Sequence, residues 1–355
     1  MTATAGAPDI FTPVLARLHA DAAAHFGIAS LRLVPSGRQD RPASHLLRLD
    51  VCRDGDDSPL SHLFLKVFKP KDIEGGLDAM RQRVERDYET TRRIYTAMLH
   101  HSDLGVVPPV ACYPDHLAIV TEQVNGPTLL DHLRTEASWF PSTKRLAELR
   151  ETMERVGRWI HVFQSTGSAS GRITIDDLRQ YIDIRLERLV RHAGAQFTQH
   201  HRDRVLRHVE RLGRRVAPED LDEVPVHADM ALGNILVSGR RIVVLDFAMA
   251  QRGTYLHDLT RLFLQVELLG IKPPLRMSVV RSLQRAQLAG FDPTLTADHP
   301  LFRLLLLLHR VNHLTTLTVT HAGFPASLYN RVVHRRHRRS IAEELERGDN
   351  ELGTS

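Results

Sequence analysis

Short apolar runs separated by polar residues dominate the first third of the chain. Three of them, SHLLRLDV at 44–51, SHLFLKVF at 61–68 and HLAIVTEQV at 116–124, are rich in Leu, Val, Ile and Phe, and a weaker run, SLRLVPS, covers 30–36. Gly, Pro and Asp lie between the runs, which is typical of short β-strands. One helix is predicted at 77–99, because apolar and aromatic residues recur there at helical spacing.

The pattern changes after residue 128, where almost every segment has helical periodicity. The segment 145–167 carries Leu149, Met153, Val156, Ile160 and Phe163 on one stripe and ends at Gly167. Two further amphipathic helices are predicted at 176–190 and 200–216, and four more between Tyr255 and about Glu346. The only strong β signal in this half is the hairpin at 235–245, with its turn at Ser238 and Gly239.

These elements predict an α+β fold with two lobes. Residues 1–26 form an N-terminal extension or helix, residues 27–125 a small antiparallel-sheet lobe with one helix, and residues 126–346 a large helical lobe that contains the hairpin. Residues 347–355 are predicted to be a disordered tail. A chain of 355 residues with 42% hydrophobic content can bury the cores that this layout needs.

Composition excludes several classes of protein. The net charge of +5 and the pI near 9.4 favour anionic partners, but no nucleic-acid module is present. Cys52 and Cys112 are too few for a disulfide framework, and the first twenty residues lack a secretory signal, so we expect a cytoplasmic protein. The longest apolar run, Leu304–Leu308, is far shorter than the ~20 residues of a membrane span and predicts a buried helix.

Polar residues flank the hairpin at fixed offsets. Asp229 and Asn234 lie in the loop that enters its first strand, and Asp246 lies just past its second strand. Because an antiparallel hairpin returns the chain to its starting point, we expect these oxygen-bearing side chains to converge. Carboxylate and amide oxygens without a nearby thiolate suit a hard cation such as Mg²⁺. Asp229 could then orient the proton of an attacking hydroxyl.

The motif His227-Ala228-Asp229, with Asn234 and Asp246-Phe247, resembles the catalytic loop (227–234) and metal motif (246–248) of the protein-kinase-like fold. Its form is closest to the aminoglycoside phosphotransferase and choline kinase branch. The resemblance implies that Asp229 is the catalytic aspartate, that His227 braces the loop, and that Asn234 and Asp246 bind Mg²⁺.

The same resemblance extends beyond the hairpin. Asp258 resembles the aspartate at the start of a helix that braces the catalytic loop; it would equally suit the first turn of any helix. Only eleven residues separate it from Asp246, too few for the peptide-binding segment of a protein kinase, so a small-molecule or glycan acceptor is expected. Ala248, in place of the usual glycine, also fits the small-molecule branch.

On the nucleotide side, Lys66 lies within an apolar strand, where an unpaired ammonium would be costly. The resemblance gives it the α- and β-phosphates of ATP and an acid from the following helix as partners. Asp87, followed by Thr91 and Ile94, fits the expected register best, while Glu85 and Glu89 remain open. An edge strand with Lys66 facing water is the alternative, and Lys69 is a weaker candidate.

Two further nucleotide contacts are predicted more loosely. The segment around Glu122 and Val124 looks like the hinge whose backbone binds adenine. Gly37 is the only glycine in GRQDRPA (37–43), the candidate phosphate-covering loop, in which Arg38 and Arg41 could contact phosphate. There is neither a GxGxxG nor a GxxxxGK[ST] motif, so a P-loop NTPase is excluded.

The sequence therefore predicts an ATP- and Mg²⁺-dependent phosphotransferase whose acceptor site is formed by the helices at 170–220 and beyond 270. Residues 247–265 also resemble lipopolysaccharide kinases, and the basic segment 331–340 would suit contact with an anionic membrane at its inner face, so a surface-glycan sugar is the alternative acceptor. A catalytically inactive nucleotide-binding module is the alternative of another class. Zinc binding by His309 and His313, or by His334 and His337, is a weaker hypothesis.

Overall fold

The chain folds into two compact units. In the computed structural model, which describes residues 9–27, 31–70, 76–137, 140–168, 170–319 and 326–353, the first unit is Met1–Pro127 together with Ile235–Ala250. The second is Thr128–Asn234 together with Gln251–Ser355. The predicted α+β class is confirmed, with an antiparallel sheet in the first unit and mainly helices in the second.

Helices and strands follow one another in this order. The first unit contains α1 (Thr12–Ala20), α2 (Ala22–Phe26), β1 (Leu31–Asp40), β2 (Ser44–Arg53), β3 (Pro59–Phe68), α3 (Gly76–Met98), β4 (Leu104–Val106), β5 (Pro109–Tyr113) and β6 (Ala118–Glu122). The second begins with α4 (Leu129–Glu136), α5 (Thr143–Gln164), α6 (Ile175–His192), α7 (Gln199–Gly213) and β7 (Glu223–Val226). The hairpin β8 (Ile235–Ser238) and β9 (Arg241–Val244) follows, and then β10 (Gln251–Thr254), α8 (His257–Leu269), α9 (Met277–Phe291), α10 (Pro300–Val319) and α11 (Ala326–Gly353).

The sheet of the first unit has the strand order β1-β2-β3-β6-β5, and all of its neighbouring strands are antiparallel. Leu63, Leu65 and Val67 of β3 point into a core that also contains Val14 and Leu18 of α1 and Phe11, the residue just before that helix. The opposite face of the sheet packs against α3. Strand alternation therefore puts Lys66 on the face that meets α3.

The hairpin belongs to the first unit, although the sequence predicts it within the helical lobe. Strand β9 pairs in parallel with β4, and β8 pairs with β9, which makes a three-stranded sheet. β4 has only three residues and lies next to a Gly-Val-Val-Pro-Pro segment, so it gives no alternation pattern that could have predicted this pairing.

In the second unit, α5 and α9 pack closely at two glycines. A Cβ at Gly157 would overlap the backbone of Gln287 and Phe291, and one at Gly290 would overlap the backbone of Glu154. The predicted stripe on α5 is buried along its whole length. The apolar run Leu304–Leu308 lies within α10 and is mostly buried, as predicted. Over the described parts of the chain, none of the helices is both long and apolar enough to cross a membrane.

Two local predictions differ from the structure. Gly37 lies inside β1, opposite Arg48 and next to a bulge after Pro35, so GRQDRPA is mostly strand and the turn is limited to 41–43. The hairpin pairing of β1 with β2 extends the strand past the glycine. Residues 347–353, expected to be disordered, continue α11, where Asp349 and Glu351 bind arginines of α7 and its C-terminal end. Residues 1–8 and 354–355 of the predicted extension and tail lie outside the described residues.

Candidate active site

Lys66 and two carboxylates form the polar centre of the first unit. The Lys66 ammonium lies 3.0 Å from a carboxylate oxygen of Asp246 and over the ring of Phe68, and its side chain is 23% exposed. Strand β3 is central in the sheet, between β2 and β6, so Lys66 does not face water from an edge strand. Asp246, two residues after the end of the hairpin's second strand, therefore supplies the ionic partner of this half-buried lysine.

Asp87 is the one candidate acid on α3 that points into this centre. It is buried on the stripe with Val84, Thr91 and Ile94, and it accepts a hydrogen bond from the Phe247 amide. Burial raises the pKa of Asp87 to about 7, with Lys66 acting in the opposite direction and Asp246 adding to the rise. Glu85 is exposed, and Glu89 is exposed and paired with Arg92 at 2.7 Å.

Asp246 leaves the hairpin in an unusual backbone conformation. Its φ is +68°, the left-handed region that non-glycine residues rarely adopt. This turn carries Phe247 into the core, where it is 1% exposed, while the Asp246 carboxylate remains partly exposed. A residue held in a sparsely populated conformation by the packing around it is common at functional sites.

The loop 227–234 is the polar centre of the second unit. It follows β7, which pairs with β10. Asp258, completely buried in the first turn of α8, accepts the amide hydrogens of His227 at 2.6 Å and Ala228 at 3.0 Å. These bonds hold Ala228 at a φ of +60°. Burial alone would raise the pKa of Asp258, but the hydrogen bond and charge of His257, with the contacts of His227, lower it below its ordinary value.

One face of α8 fixes the rest of this loop. Gln265 accepts from the Leu232 amide at 3.1 Å and donates to the Met230 carbonyl at 2.9 Å. Arg261 donates to the Asp229 carboxylate at 2.6 Å. Asp258, Arg261 and Gln265 are spaced by three and four residues, so they share one side of the helix.

The loop 227–234 also carries the side chains of Asp229 and Asn234. The Asp229 side chain is 43% exposed, and its backbone carbonyl accepts from the Asn234 Nδ2 at 3.1 Å. Because its nitrogen donates in that bond, the Asn234 side-chain oxygen is the atom that could bind a cation. In the first unit, Asp246 already binds a cation, the Lys66 ammonium. Both donor groups therefore fit a hard divalent cation such as Mg²⁺, which prefers carboxylate and amide oxygens.

The segment predicted to bind adenine runs from β6 into a turn of the first unit. The Glu122 amide donates to Pro108, whereas the Val124 amide has no hydrogen-bond partner among the residues the structure describes. Gly126 has a φ of +145°, and a Cβ there would overlap the Val237 carbonyl of β8. The Val237 amide in turn donates to Pro127. The hinge segment is thus fastened to the hairpin at a position that only glycine fits.

The remaining candidates have other contacts. Lys69 pairs with Asp40 at 2.7 Å, Arg38 with Asp9 at 3.5 Å, and Arg41 with the Gln39 side chain. In the basic segment of α11, Arg336 pairs with Glu267, and Arg339 pairs with Glu343. His313 and His337 hydrogen-bond each other at 2.9 Å, and His309 bonds the His257 backbone. Across the described ranges, no group of three or more His, Cys, Asp and Glu residues is arranged to hold a metal ion.

Two residues of this centre, Arg261 and Gln265, do not appear among the predicted site residues. Their signal lies in their spacing from Asp258, since polar residues at positions i, i+3 and i+7 of an otherwise apolar helix form one polar stripe. In the sequence alone, these residues look like scattered polar positions on a mainly apolar helix. The stripe can be recognised only once Asp258 is known to face the loop 227–234.

Residues 77–299 match the model of the phosphotransferase enzyme family. The chain belongs to this family. The predictions of the family, and of an enzyme that transfers a phosphoryl group to an alcohol acceptor, are confirmed at this level. The matched range includes α3, the hinge segment, the loop 227–234, Asp246 and Asp258. No curated protein matches the phosphotransferase significantly.

Solved structures with the same fold cover nearly the whole chain. Choline kinase from Cryptosporidium parvum Iowa II has a TM-score of 0.55 at 10% identity, over 95% of this chain and 97% of that one. A choline/ethanolamine kinase family protein from Mesorhizobium loti has a TM-score of 0.54 at 16% identity, over 96% and 99%. A thermostable mutant of the aminoglycoside phosphotransferase APH(4)-Ia, in a ternary complex with AMP-PNP and hygromycin B, has a TM-score of 0.54 at 15% identity, over 94% and 98%. They share the predicted protein-kinase-like fold with this phosphotransferase.

Proposed function

We propose that the enzyme transfers the γ-phosphoryl group of ATP to a hydroxyl of a small molecule, with Asp229 as the residue that orients the hydroxyl. The observation that carries the proposal is the bracing of the loop 227–234. Its backbone is held at His227, Ala228, Met230 and Leu232 by Asp258 and Gln265, while the Asp229 carboxylate stays partly exposed. A fixed backbone with an accessible carboxylate suits a group that positions a reacting hydroxyl.

ATP as the donor follows from the fold family and from the first unit. APH(4)-Ia was solved with AMP-PNP, an ATP analogue. In our proposal Lys66, now paired with Asp246, binds phosphate oxygens of the nucleotide, and buried Asp87 supports the lysine from α3. The unpartnered Val124 amide donates to adenine, and Glu122 contributes its backbone. Gly37 is not included, because it lies within β1.

Asn234 and Asp246 would hold Mg²⁺, which supplies neutralisation of charge on the β- and γ-phosphates when bound. In the transfer, one bond to phosphorus forms and one breaks. The acceptor oxygen forms a bond to the γ-phosphorus, the bond from that phosphorus to the β,γ-bridging oxygen breaks, and ADP leaves. Asp229 accepts a hydrogen bond from the hydroxyl and directs its lone pair at phosphorus, and its carboxylate takes up the hydroxyl proton as the new bond forms.

We propose that the acceptor is a small molecule and not a protein or a surface glycan. The short interval between Asp246 and Asp258 favours a small molecule over a protein substrate. A lipopolysaccharide or surface-glycan sugar at a membrane is less well supported, because Arg336 and Arg339 of the basic segment are occupied by Glu267 and Glu343. We propose the cytoplasm as the location, in line with the small number of cysteines in the sequence.

ADP release with ATP, Mg²⁺ and a panel of sugars, amino alcohols and aminoglycosides tests the proposal. We expect at least one hydroxyl compound to raise ADP release above the rate without acceptor, and the Asp229→Asn protein to lose that increase. The Asp54→Asn protein, changed at an aspartate in the β2–β3 turn, is the matched control and should keep it. ATP binding without any acceptor-dependent release would instead support an inactive nucleotide-binding module.

A further inference from the structure

We propose that the acceptor of this phosphotransferase is acidic, a hydroxyl compound that carries a carboxylate or a phosphate and is held by Arg185 and Arg261 of the second unit. The inference rests on the proposed function, because it concerns the compound that Asp229 orients. It goes further by naming the charge of that compound, which the fold leaves open.

Arg261 is the first element of the acceptor surface. Its Nη2 donates to Asp229 at 2.6 Å, so its guanidinium lies directly beside the carboxylate that receives the acceptor. Its Nε is buried and has no hydrogen-bond partner among the described residues. A buried guanidinium nitrogen without a partner is costly, and a ligand oxygen would relieve that cost.

Arg185 on α6 is the second element. Its Nε donates to the Asn312 side chain at 2.8 Å, its Nη1 donates to the Tyr181 carbonyl at 2.7 Å, and its guanidinium stacks on the Tyr181 ring at 3.3 Å. These contacts fix the guanidinium plane, and Nη2 has no hydrogen-bond partner among the described residues. No carboxylate contacts it within the described part of the chain. Burial lowers the pKa of Arg185, and neighbouring Arg188 adds to this effect, yet an arginine stays charged at neutral pH.

Helix α10 connects the two arginines. Arg185 bonds Asn312, and the next residue, His313, lies close enough to Arg261 for the arginine to lower its pKa, although burial is the larger cause. Arg185 and Arg261 therefore both lie against α10, beside two consecutive residues of that helix. An acceptor with its hydroxyl at Asp229 would then place its acidic group at Arg185.

The carboxylates on these helices are almost all engaged, which argues against a cationic acceptor. On α6, Asp183 binds Arg202 at 2.6 Å, Glu187 binds Arg191 at 2.9 Å, and Asp177 caps its own helix. On α8, Glu267 binds Arg310 and Arg336, and Asp258 binds backbone amides. Helix α10 contains no acidic residue. The exception is Asp176, exposed in the first turn of α6.

An ammonium compound such as choline or an aminoglycoside would thus meet two arginines and few available carboxylates. Like charges placed together in a binding site disfavour the wrong ligand. An acidic compound gains charge-assisted hydrogen bonds to guanidinium groups that are already fixed in place. Selectivity for acidic over basic acceptors is the expected consequence.

Four compounds with one ring test this inference: glucose, glucosamine, glucuronate and glucose 6-phosphate. Binding is measured by calorimetry in the presence of a non-hydrolysable ATP analogue and Mg²⁺, and ADP release is measured in parallel with ATP. We expect glucuronate or glucose 6-phosphate to bind at least about tenfold more tightly than glucose and glucosamine. The two acidic compounds also distinguish a preference for carboxylate from one for phosphate.

Arg185→Gln identifies the residue responsible. It should weaken binding of the acidic compound about tenfold or more and raise its KM, with little change in kcat or in the KM for ATP. Arg185→Lys, which keeps the charge, should recover part of the affinity. Arg207→Gln, which removes an exposed charge from α7, is the matched control and should change neither value.

Equal or tighter binding of glucose or glucosamine overturns the inference, as does unchanged binding of the acidic compounds to the Arg185→Gln protein. The proposed function survives that result wherever a neutral or basic compound raises ADP release above the Asp229→Asn level. Tight, Arg185-dependent binding of an acidic compound without any ADP release from the panel supports the anionic site and counts against the transfer reaction.

Discussion

Asp258 shows how a single buried carboxylate can shape a functional loop. It has no exposed surface, and it binds two successive amides of the loop, at His227 and Ala228. The positive φ of Ala228 persists because these two bonds and the packing around them determine the backbone. The negative charge also suits its place in the first turn of α8.

The Asp258→Asn protein should be less stable, because an amide nitrogen would face one of the two backbone amides and leave it without an acceptor. We expect a loss of about 1–3 kcal/mol in the free energy of unfolding, measured by urea denaturation, together with a reduced kcat. The Asp176→Asn protein, altered at an exposed first-turn acid of α6, should unfold like the wild type. An unchanged stability of Asp258→Asn would contradict the bracing role.

Gln265 should act on catalysis through the loop and not through the substrate. Replacement by Leu removes both the bond to the Leu232 amide and the bond to the Met230 carbonyl, whereas replacement by Glu keeps the acceptor for Leu232. We expect kcat to fall more in Gln265→Leu than in Gln265→Glu, with the KM for ATP nearly unchanged in both. Steady-state kinetics with the best acceptor checks this order, and a larger loss in the Glu variant would argue against it.

At the scale of helices, the contact of α5 with α9 depends on the absence of side chains at Gly157 and Gly290. Gly290→Ala would force the helices apart, since its Cβ overlaps the backbone of Glu154. Overpacking of this kind costs about 1–3 kcal/mol or more. We expect a clear drop in Tm, measured calorimetrically. Gly233→Ala, where a Cβ would meet no atom within 4 Å, should leave Tm unchanged; equal Tm values for both variants would refute the close contact.

Helices α10 and α11 meet at a histidine pair that should make the protein sensitive to acid. Burial, together with the charges of His313 and Arg310, lowers the pKa of His337 to about 3. The unfolded chain therefore takes up the proton first as the pH falls, at the ordinary pKa near 6.5. The stability that the neutral imidazole contributes is complete above that value and is lost as the pH falls from about 6.5 toward 3.

In the His337→Gln protein the loss of stability at low pH should be smaller. The amide can still donate to His313, but it does not titrate, so Tm should fall less between pH 7.5 and pH 5 than in the wild type. Arg310 and Arg336, two of the charges that lower the pKa of His337, are both paired with Glu267. His200→Gln, at an exposed site on α7, is the control. Parallel Tm profiles for wild type and His337→Gln would contradict the assignment.

The periodicity of apolar residues was sufficient to predict a helix or strand where the segment was long or strictly alternating. It predicted α3, α5 and the strands β2 and β3, whose apolar residues face one core. It missed β5, β7 and β10, because each has four or five residues and two of them are interrupted by proline or glycine. Such short strands form because a neighbouring strand completes their hydrogen bonds, as β7 and β10 do for each other.

For the whole molecule, the motif at 226–249 gave the family and most of the candidate residues, while their partners required the fold. Sequence spacing favoured Asp87 over Glu85 and Glu89, and the structure buries Asp87 alone of the three. Spacing could not reveal that Asp229 binds Arg261, since the two residues are 32 positions apart. It also could not assign the hairpin to the first unit, because that depends on the parallel pairing of β9 with β4.

The arginines of the second unit fall into two groups with different partners. The arginines of α7 and α11 are largely paired with acids of α11 and its neighbours, whereas Arg261 binds Asp229 and Arg185 binds the Asn312 side chain and the Tyr181 carbonyl. The net charge of +5 alone would not have distinguished these two groups. Only the contacts separate arginines that stabilise the fold from arginines that can bind a ligand.

The central claim is that Asp229 directs a hydroxyl to the γ-phosphorus of ATP. The most direct measurement follows ATP labelled in the γ-phosphoryl group and asks whether the label appears on an organic acceptor, in the wild type and in the Asp229→Asn protein. We expect labelled acceptor from the wild type, with a loss of at least about 10²-fold in the variant and unchanged ATP affinity. Label found only in inorganic phosphate, or equal transfer by both proteins, would contradict the account.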